Sequence, residues 1–456
     1  MKYKGWNFEK TLLIRSDSAF DRPGEFIDVY VAVETQSARN LANDVRVVIK
    51  PEWNRIGPEL PCQVYDIQEH GPVTTFRVAF AADIPANATR RVGILYDNPG
   101  AARPRYETDL SDSGAGSDFA AENRHFRART DPLSGQIDEL TIKMQVLEYT
   151  HLKRLTPAGR PQEGIRVIFA GKPACPAASC ASSWREPETT RIEGPLFCSI
   201  ARRGKLSPPG EPAAESHPSL EIEYKFFADY PFLLVSSRLE FTADTPVYGI
   251  YHDSLAVQES CFSHYCFRPS TPSLPETDLE EAGHILVEPE YTRSLPPGPI
   301  FGDFLPYGLP WHAFVSCIRK QDFRFDYALA GIRLEDDSSS PGGPAPAYRA
   351  ATYLVRDGGQ LAWFRAPVYV KKQDCAGNII MIPRGTIYTA ASAWHLGEWD
   401  EKKKWLTGID ALGRRFNSKL SITQHPRFLG GQVPDEKRIL LPCGNFSRDY
   451  EKAGVR

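Results

Sequence analysis

Apolar and polar residues alternate one by one through much of the first hundred positions of the chain. Five runs of seven to nine residues are rich in β-branched and aromatic side chains, and Pro, Gly, Asn and Asp lie between them. This pattern predicts short, half-buried strands that together form a small β-sandwich ending near residue 100. The runs are EFIDVYVAV (25–33), DVRVVIK (44–50), CQVYDIQ (62–68), TTFRVAF (74–80) and RRVGILY (90–96).

A stretch without apolar periodicity follows these strands. The sequence NPGAARPRYETDLSDSGAGSD, Asn98 to Asp118, contains turn formers and charges, which predicts a linker at 101–118. Soon after it, DPLSGQID, Asp131 to Asp138, lies between two alternating runs. Pro132 can preset the backbone angle of a turn and Gly135 can adopt a positive φ. We therefore predict a β-hairpin that opens a second β domain.

Alternating runs continue through the rest of the chain. The segment LEIEYKFFADYPFLLVSSRLEF, Leu220 to Phe241, predicts two long strands joined at Asp229-Tyr230-Pro231. Only EWDEKKKWLTGIDALGRRF, Glu398 to Phe416, has a helical period. We expect a mainly β protein, with a small N-terminal sandwich at 1–100 and a large antiparallel sandwich with a short C-terminal helical segment at 119–456. Further strand runs are IRVIFA (165–170), GPLFCSI (194–200), HAFVSCI (312–318), ATYLVR (351–356) and VYVKK (368–372).

Composition and charge narrow the class of protein. The chain has 456 residues, of which 41% are hydrophobic and 24% charged, with a formal net charge of -3. The charges are dispersed, so we expect neither a nucleic-acid partner nor a membrane-binding segment. A stretch of roughly 18 apolar residues, as a membrane span needs, is missing, and the first residues contain too short an apolar run for an export signal. We expect a cytoplasmic protein, although a mature secreted form would look the same.

The nine cysteines are an odd number in a large chain, which favours free thiols over a disulfide framework. Two pairs, Cys175 with Cys180 and Cys261 with Cys266, have four residues between them, a spacing at the upper limit for zinc ligands. The first pair lies in an Ala/Pro/Ser segment and the second on an aromatic strand. We therefore expect buried or loop thiols, no metal and no cofactor.

The opening of the second domain follows a pattern that known carbohydrate-active proteins share. It reads Glu-Asn-x-x-Phe-x-Ala-x-x-Asp-Pro-x-Ser-Gly-x-Ile-x-x-Leu from Glu122 to Leu140, and Gly194-Pro195 and the hairpin YKFFADYPFLLVSSRLEF follow it. In this it resembles the super-sandwich, or galactose mutarotase-like, fold of galactose mutarotases, the C-terminal part of family 38 α-mannosidases and several polysaccharide lyases. The first sandwich, ending in FAADIPANATRRVGILYDN, is similar to the small β domain of exo-rhamnogalacturonan-lyase-like proteins. The resemblance implies a super-sandwich fold and an oligosaccharide or glycoside as the ligand.

Three stretches concentrate histidine, aromatic and acidic residues, the side chains that stack on sugar rings and bind their hydroxyls. We expect them to line one groove. They are YGIYHDS (Tyr248 to Ser254), GDFLPYGLPWHAF (Gly302 to Phe314) and ASAWHLGEWDE (Ala391 to Glu401).

Lyase chemistry fits these residue types best. A lyase that removes the C5 proton of a uronic acid needs a base, a neutraliser for the carboxylate and an acid for the leaving oxygen. Here His252 or His312 would be the base or neutraliser, and Tyr251 or Tyr307 the acid. Arg365 would clamp the carboxylate through its bidentate fork. Further contacts to the substrate are expected from Trp311, Trp394, His395, Asp253 and Glu398.

Three alternatives remain open. A glycoside hydrolase needs two carboxylates roughly 5–10 Å apart; Asp253, Asp303 and Glu398 are candidates, but their spacing does not show pairing. A mutarotase or epimerase would need one acid and one base, typically Glu and His. A non-catalytic carbohydrate-binding β protein would only stack sugars on its aromatic side chains. His264 alternates with large apolar residues and is expected to be structural. The sequence predicts neither the sugar nor the oligomeric state.

Overall fold

The computed structural model is described below for part of the chain. The described residues are 5–53, 55–146, 149–154, 165–170, 177–208, 210–262, 264–267, 292–294, 300–305, 311–316, 319–320, 323–324, 327–346, 351–357, 360–369, 379–398, 412–413, 415–416, 418 and 420–425. They are mainly β, as the alternation predicts, and antiparallel strand pairs run through both parts of the chain. Among these residues, no helix is long and apolar enough to cross a membrane.

The strands are numbered in chain order. Those of the first part are β1 (Phe8–Ser16), β2 (Arg22–Glu34), β3 (Arg46–Ile49), β4 (Glu59–Leu60), β5 (Cys62–His70), β6 (Val73–Ile84), β7 (Thr89–Tyr96), β8 (Ser111–Ala115), β9 (Asp118–Glu122), β10 (Phe126–Thr130), β11 (Ile137–Val146), β12 (Tyr149–Arg154), β13 (Arg166–Phe169), β14 (Ala177–Cys180), β15 (Glu188–Ile192) and β16 (Phe197–Lys205). Those of the second part are β17 (Ser219–Phe227), β18 (Phe232–Glu240), β19 (Thr245–Gln258), β20 (His264–Phe267), β21 (Thr292–Ser294), β22 (Ile300–Leu305), β23 (Trp311–Ser316), β24 (Arg319–Lys320), β25 (Phe323–Arg324), β26 (Tyr327–Ser339), β27 (Ala351–Asp357), β28 (Gln360–Tyr369), β29 (Ile380–Ile382), β30 (Ile387–Glu398) and β31 (Leu420–His425). One short helix, α1 (Leu41–Asp44), precedes β3.

The chain divides into two compact units. One consists of Met1–Thr108, Gly194–Phe197 and Arg414–Asn445. The other consists of Asp109–Glu193, Cys198–Gly413 and Phe446–Arg456. Each unit therefore contains segments that are far apart in the chain, which the continuous domain ranges of the sequence analysis did not anticipate.

The first unit is a β-sandwich. A five-stranded sheet in the order β31-β1-β7-β3-β4 and a three-stranded sheet in the order β2-β6-β5 share one apolar core. In β2 the alternation places Ile27, Val29, Val31 and Val33 in that core. Strand β31 pairs with β1 along its whole length, so residues assigned to the 119–456 domain complete the first sandwich instead.

Gln63 anchors the Gly-Pro segment within the first unit. Its amide nitrogen donates to the carbonyl of Phe197, and its amide oxygen accepts from the backbone N–H groups of Leu196 and Phe197. A Cβ at Gly194 would overlap this amide. The glycine of the Gly-Pro motif is therefore required by a close approach of the Gln63 side chain.

The second unit contains a nine-stranded sheet, β15-β16-β17-β18-β30-β26-β23-β20-β21. A sheet in the order β14-β13-β19-β28-β27-β22, with β29 beside β19, and a five-stranded sheet β12-β11-β10-β9-β8 contribute side chains to the same core. Two predictions need correction here. The hairpin β8–β9 begins inside the predicted linker, with residues 111–115 paired to residues 118–122, because Phe119 is buried in this core. The predicted helical segment does not begin at Glu398, which ends strand β30; residues 399–411 and 414 lie outside the described residues, and 412, 413, 415 and 416 are helical.

The predicted opening hairpin connects β10 to β11. Its turn is held by the Asp131 carboxylate, which accepts from the backbone N–H groups of Leu133 and Ser134 at 3.1 and 2.7 Å. Gly135 has a φ of 66°, and a Cβ there would lie 2.5 Å from Cδ of Arg202. Both the positive φ and the buried arginine therefore demand glycine.

The asparagine of the same motif fastens the β17–β18 turn. Asn123 is buried, and its Nδ2 donates to the carbonyls of Phe227 and Tyr230, both at 2.9 Å. Its Oδ1 accepts from the backbone N–H groups of His125 and Phe126 at 2.8 and 3.0 Å. All the hydrogen-bonding capacity of the amide serves the fold, so Asn123 is structural.

Candidate functional site

The nine-stranded sheet has two faces with different chemistry. Residues alternate between faces along a strand, and directly paired residues of antiparallel neighbours share a face. Phe226, Leu233 and Trp394 point into the core of the second unit and define the inner face. Lys225 and His395 belong to the opposite set, the outer face.

His312 lies on the inner face, inside the core. Its ring meets that of Trp363 edge-on, with 4.6 Å between ring centroids, and it is almost fully buried. Burial, reinforced by the positive charge of Arg365, lowers the pKa of His312 to about 3. A Cβ at Gly331 would lie 2.8 Å from Nε2 of His312. This environment suits a neutral, packed histidine better than a base that meets substrate.

His252 and Arg365, two other predicted catalytic residues, are direct neighbours in the backbone ladder between β19 and β28. Arg365 is buried beside His312, on which it acts electrostatically. Strand β19 belongs to the seven-stranded sheet, whereas His312 lies on β23 of the nine-stranded sheet. The three residues predicted to act together, His252, His312 and Arg365, therefore lie on two different sheets. Of these, Arg365 and His312 lie close together in the core.

For several of the predicted site residues, the structure describes only the backbone, and one of them lies outside the described residues. Tyr307 lies outside the described residues. His252 and Asp253 lie on β19 and Glu398 lies at the end of β30, opposite Tyr327, but their side chains are outside the description. Tyr251 is opposite Arg166 in the ladder between β13 and β19 and is partly buried.

The three predicted substrate contacts with described side chains are separated by the sheet. Trp394 points into the core, 6.5 Å from Trp363 between ring centroids. Trp311 lies on the outer face but is 1% exposed, and Gly413 lies over its ring. His395 also lies on the outer face and is buried. The side chains of Trp394 and His395, which are neighbours in sequence, thus point to opposite faces of the sheet, because successive side chains of a strand alternate between faces.

His395 is held in its neutral form. Burial, with a smaller contribution from the positive charge of protonated His125, lowers its pKa to about 4. Its direct neighbours across the ladders are Phe232 and Ala330. Around it the outer face carries small buried side chains, namely Ala313, Ala328, Ala330, Ala391 and Ala393. His395 is therefore surrounded on this face by buried alanine side chains.

Farther along the same strands the outer face becomes polar and accessible. Glu221 is paired with Arg238, Arg238 with Thr389, and Thr389 with Asp337, so the four lie side by side across β17, β18, β30 and β26. Glu223 is two residues from Glu221 on the same face. The glutamates are half-buried and Asp337 is exposed. We name these five residues the polar row.

Arg238 is the cation of the polar row. Its Nη1 lies 2.7 Å from Oε2 of Glu240, and its side chain is 41% exposed. Two glutamates, one aspartate and one arginine give the polar row a negative balance. Carboxylates and an arginine at one surface can bind hydroxyl groups and transfer protons. Among the residues whose side chains are described, no cluster of three or more potential ligands forms a metal site.

The polar row was missed in the sequence, although a signal for it exists. In LEIEYKF the apolar Leu220, Ile222 and Tyr224 alternate with polar residues, which places Glu221 and Glu223 on one face. Histidine and aromatic clusters are the more conspicuous pattern in the sequence. Those clusters mark the core as well as functional surfaces, because large aromatic side chains fill the interior of this sandwich.

Comparisons with known proteins support the fold. No protein-family model matches the chain, and no curated protein matches it. A solved structure of a protein in glycosyl hydrolase family 38 from Enterococcus faecalis is 10% identical with a TM-score of 0.50, and the match covers 93% of this chain and 48% of that one. An alpha-mannosidase from Enterococcus faecalis V583 is 10% identical with a TM-score of 0.48, over 93% and 46% of the two chains.

A galactose mutarotase related enzyme from Lactobacillus acidophilus is 9% identical with a TM-score of 0.31, over 61% of this chain and 97% of that one. The chain spans about half the length of the two Enterococcus faecalis structures. At these identities the likeness concerns the fold alone. The likeness to the structure from glycosyl hydrolase family 38 agrees with the mainly β sandwich expected from the sequence, while the resemblance to polysaccharide lyases stays a prediction.

Proposed function

We propose that the protein is a carbohydrate-active enzyme that binds its sugar at the polar row and hydrolyses a glycosidic bond. The observation that carries this proposal is the placement of Glu221 and Glu223 on one face of β17, with Arg238 directly opposite Glu221. The fold adds support, because the matched structures carry the names of a glycosyl hydrolase family, an alpha-mannosidase and a mutarotase-related enzyme.

The spacing of the two glutamates suits hydrolysis with inversion. Residues two apart on a strand are separated by roughly 6.7 Å along it. Inverting glycosidases hold their carboxyl groups about 6.5–9.5 Å apart, which leaves room for the attacking water. One glutamate would protonate the leaving oxygen and the other would activate the water. Arg238 would hold sugar hydroxyls against the sheet.

Cleavage of a uronic-acid linkage by β-elimination is a weaker proposal. Its base or neutraliser at His312 is buried and has a pKa of about 3. The negative balance of the polar row would also repel the carboxylate of a uronic acid. We therefore expect a neutral sugar at this surface.

Mutarotation is a second candidate, favoured by one observation. A mutarotase needs an acid and a base on opposite sides of the ring carbon, and the outer face carries His395 as well as the two glutamates. His395 is buried, however, and would have to become accessible. Polarimetry of freshly dissolved aldoses, with and without the protein, distinguishes this reaction from hydrolysis.

The test is a panel of neutral p-nitrophenyl glycosides, with uronic-acid oligosaccharides followed by ultraviolet absorbance as the lyase arm. We expect hydrolysis of a neutral glycoside, and proton NMR should show inversion at the anomeric carbon. Glu221→Gln and Glu223→Gln should each lower turnover by about 10²–10⁴-fold, the scale of a lost general acid or base. Glu69→Gln, at an exposed position of β5, is the matched control and should keep full activity.

Two results would reject the proposal. Glycoside hydrolysis that survives both glutamate substitutions would remove the polar row from the reaction. Appearance of the unsaturated uronate product would replace hydrolysis by elimination.

We also propose a cytoplasmic location. Cys62, Cys198 and Cys261 are buried free thiols, which are typical of a reducing compartment. Fractionation of the source cells, with an antibody against the chain, tests this location.

A further inference from the structure

The loop between β16 and β17 carries a nucleophile, a base and an acid close together. It begins at Leu206, whose backbone N–H donates to the carbonyl of Pro218 at 2.9 Å, and it is thereby closed at its base. The hydroxyl of Thr242 donates to the carbonyl of His217 at 2.8 Å. His217 thus projects from a backbone that is fixed on both sides. The loop belongs to the second unit and leads directly into β17, the strand that carries Glu221 and Glu223 of the polar row.

Three side chains of this loop form a connected set. Oγ of Ser207 lies 3.1 Å from Nδ1 of His217. Nε2 of His217 lies 3.7 Å from Oε2 of Glu211. The stretch is rich in proline and has no apolar period, which is typical of a surface loop.

A backbone contact determines the tautomer of the histidine. The N–H of Ala214 donates to Nδ1 of His217 at 3.2 Å, so Nδ1 is the acceptor nitrogen of the neutral ring. The proton is then on Nε2, which faces Glu211. The hydroxyl of Ser207 must donate to Nδ1. The hydroxyl, the ring and the carboxylate are thus arranged as a nucleophile, a general base and an orienting carboxylate.

The set is reachable from solvent. The side chain of His217 is 15% exposed and that of Glu211 is 61% exposed. Ser207 is partly exposed. Lys205 adds a cation to the same loop, with its Nζ 3.2 Å from the carbonyl of Glu215. A small ligand can therefore approach the hydroxyl of Ser207 without rearrangement of the core.

We propose that Ser207, His217 and Glu211 form a second site that hydrolyses short acyl esters. Oγ of Ser207 attacks the acyl carbon as its proton passes to Nδ1 of His217. The ester C–O bond then breaks, and the departing alcohol takes that proton. Water then attacks the acyl carbon as one of its protons passes to Nδ1; the bond from that carbon to Oγ breaks, and Oγ takes the proton back from Nδ1, which releases the carboxylic acid and restores Ser207 and neutral His217. Glu211 is a positioning residue, since it acts on the substrate only through His217.

The experiment uses the full chain with p-nitrophenyl acetate and with a fluorophosphonate probe that labels activated serines. We expect release of p-nitrophenol and labelling at Ser207, located by peptide mass spectrometry. Ser207→Ala should abolish the labelling and lower the enzymatic rate about 10²-fold or more. Ser113→Ala, at an exposed position of β8, is the matched control and should label as the unmodified protein does.

Glu211→Gln separates a positioning role from a structural one. Loss of the carboxylate that orients His217 should lower kcat for p-nitrophenyl acetate and slow the labelling of Ser207, while KM and the melting temperature stay the same. Labelling that is absent from the unmodified chain, or that persists in Ser207→Ala, would overturn the proposal. A kcat that Glu211→Gln leaves unchanged would remove Glu211 from the site.

Discussion

Two buried histidines should make the second unit sensitive to mild acid. His312 and His395 have pKa values lowered to about 3 and about 4, in both cases mainly by burial. An unfolded histidine has a pKa of about 6.5. Between these values the unfolded chain takes up protons that the folded protein does not bind. The stability from these two groups is therefore complete above about pH 6.5 and is lost as the pH falls towards 4.

The size of the stability loss follows from how far the pH lies below the pKa of histidine in the unfolded chain. Each histidine costs about 1.4 kcal/mol of unfolding free energy for each pH unit below about 6.5. At pH 5 that is roughly 2 kcal/mol per histidine and roughly 4 kcal/mol for the pair. Because pH 5 lies above both folded-state values, this figure depends only on the histidines staying neutral in the fold.

The assay is urea unfolding followed by tryptophan fluorescence at pH 7.5 and pH 5. His312→Gln should reduce the loss of stability between these pH values by about 2 kcal/mol, although it lowers stability at both. His70→Gln, at an exposed position of β5, is the matched control and should leave the pH dependence unchanged. An equal pH dependence in the parent and in His312→Gln would refute the burial argument.

Two substitutions test the packing directly. Asn123→Ala removes two donated and two accepted hydrogen bonds at a buried site, so urea unfolding should show a free energy of unfolding lower by about 2–4 kcal/mol. Asn7→Ala, which removes an exposed hydrogen bond, is the control and should lower that free energy by less than about 1 kcal/mol. Equal losses in the two variants would contradict the structural role of Asn123. Gly331→Ala places a Cβ 2.8 Å from the ring of His312 and should lower stability by about 1–3 kcal/mol. An unchanged free energy of unfolding in the same assay would show that the core around His312 rearranges to accommodate the added methyl group.

The mainly β class and the opening hairpin could be predicted because both depend on short-range patterns. Alternation with a period of two specifies a strand with one buried face, as in β2 and β17. Gly135 marks a turn that needs a positive φ, and the backbone has that φ. The structure added a second reason for this glycine, the contact with Arg202, which lies far away in sequence.

Strand partners could not be predicted, since a strand's own pattern does not identify its neighbours. Strand β31 joins β1 across about 400 residues, and its short alternating sequence contains no sign of that pairing. The segment 101–118 predicts a linker, because turn formers and charges dominate it. It nevertheless forms most of a hairpin, since Phe119 reaches the core.

The candidate sites depended on tertiary structure for a related reason. The sequence identified His312, Trp394 and His395 as chemically interesting, but alternation alone cannot say which face of a sheet another layer will cover. Packing of the sheets placed His312 and Trp394 in the core and left His395 on the opposite face. Glu221 and Glu223 were recognisable as one face of a strand from their spacing.

Only the pairing of four strands brought Arg238 and Asp337 into line with Glu221, and only the folded loop brought Ser207 to His217. The sequence by itself thus determined the local backbone conformation, because side-chain period and turn chemistry act over a few residues. The tertiary structure decided burial, charge state and the grouping of reactive side chains. These depend on contacts between residues that are distant in the chain, and on water being excluded once those contacts form.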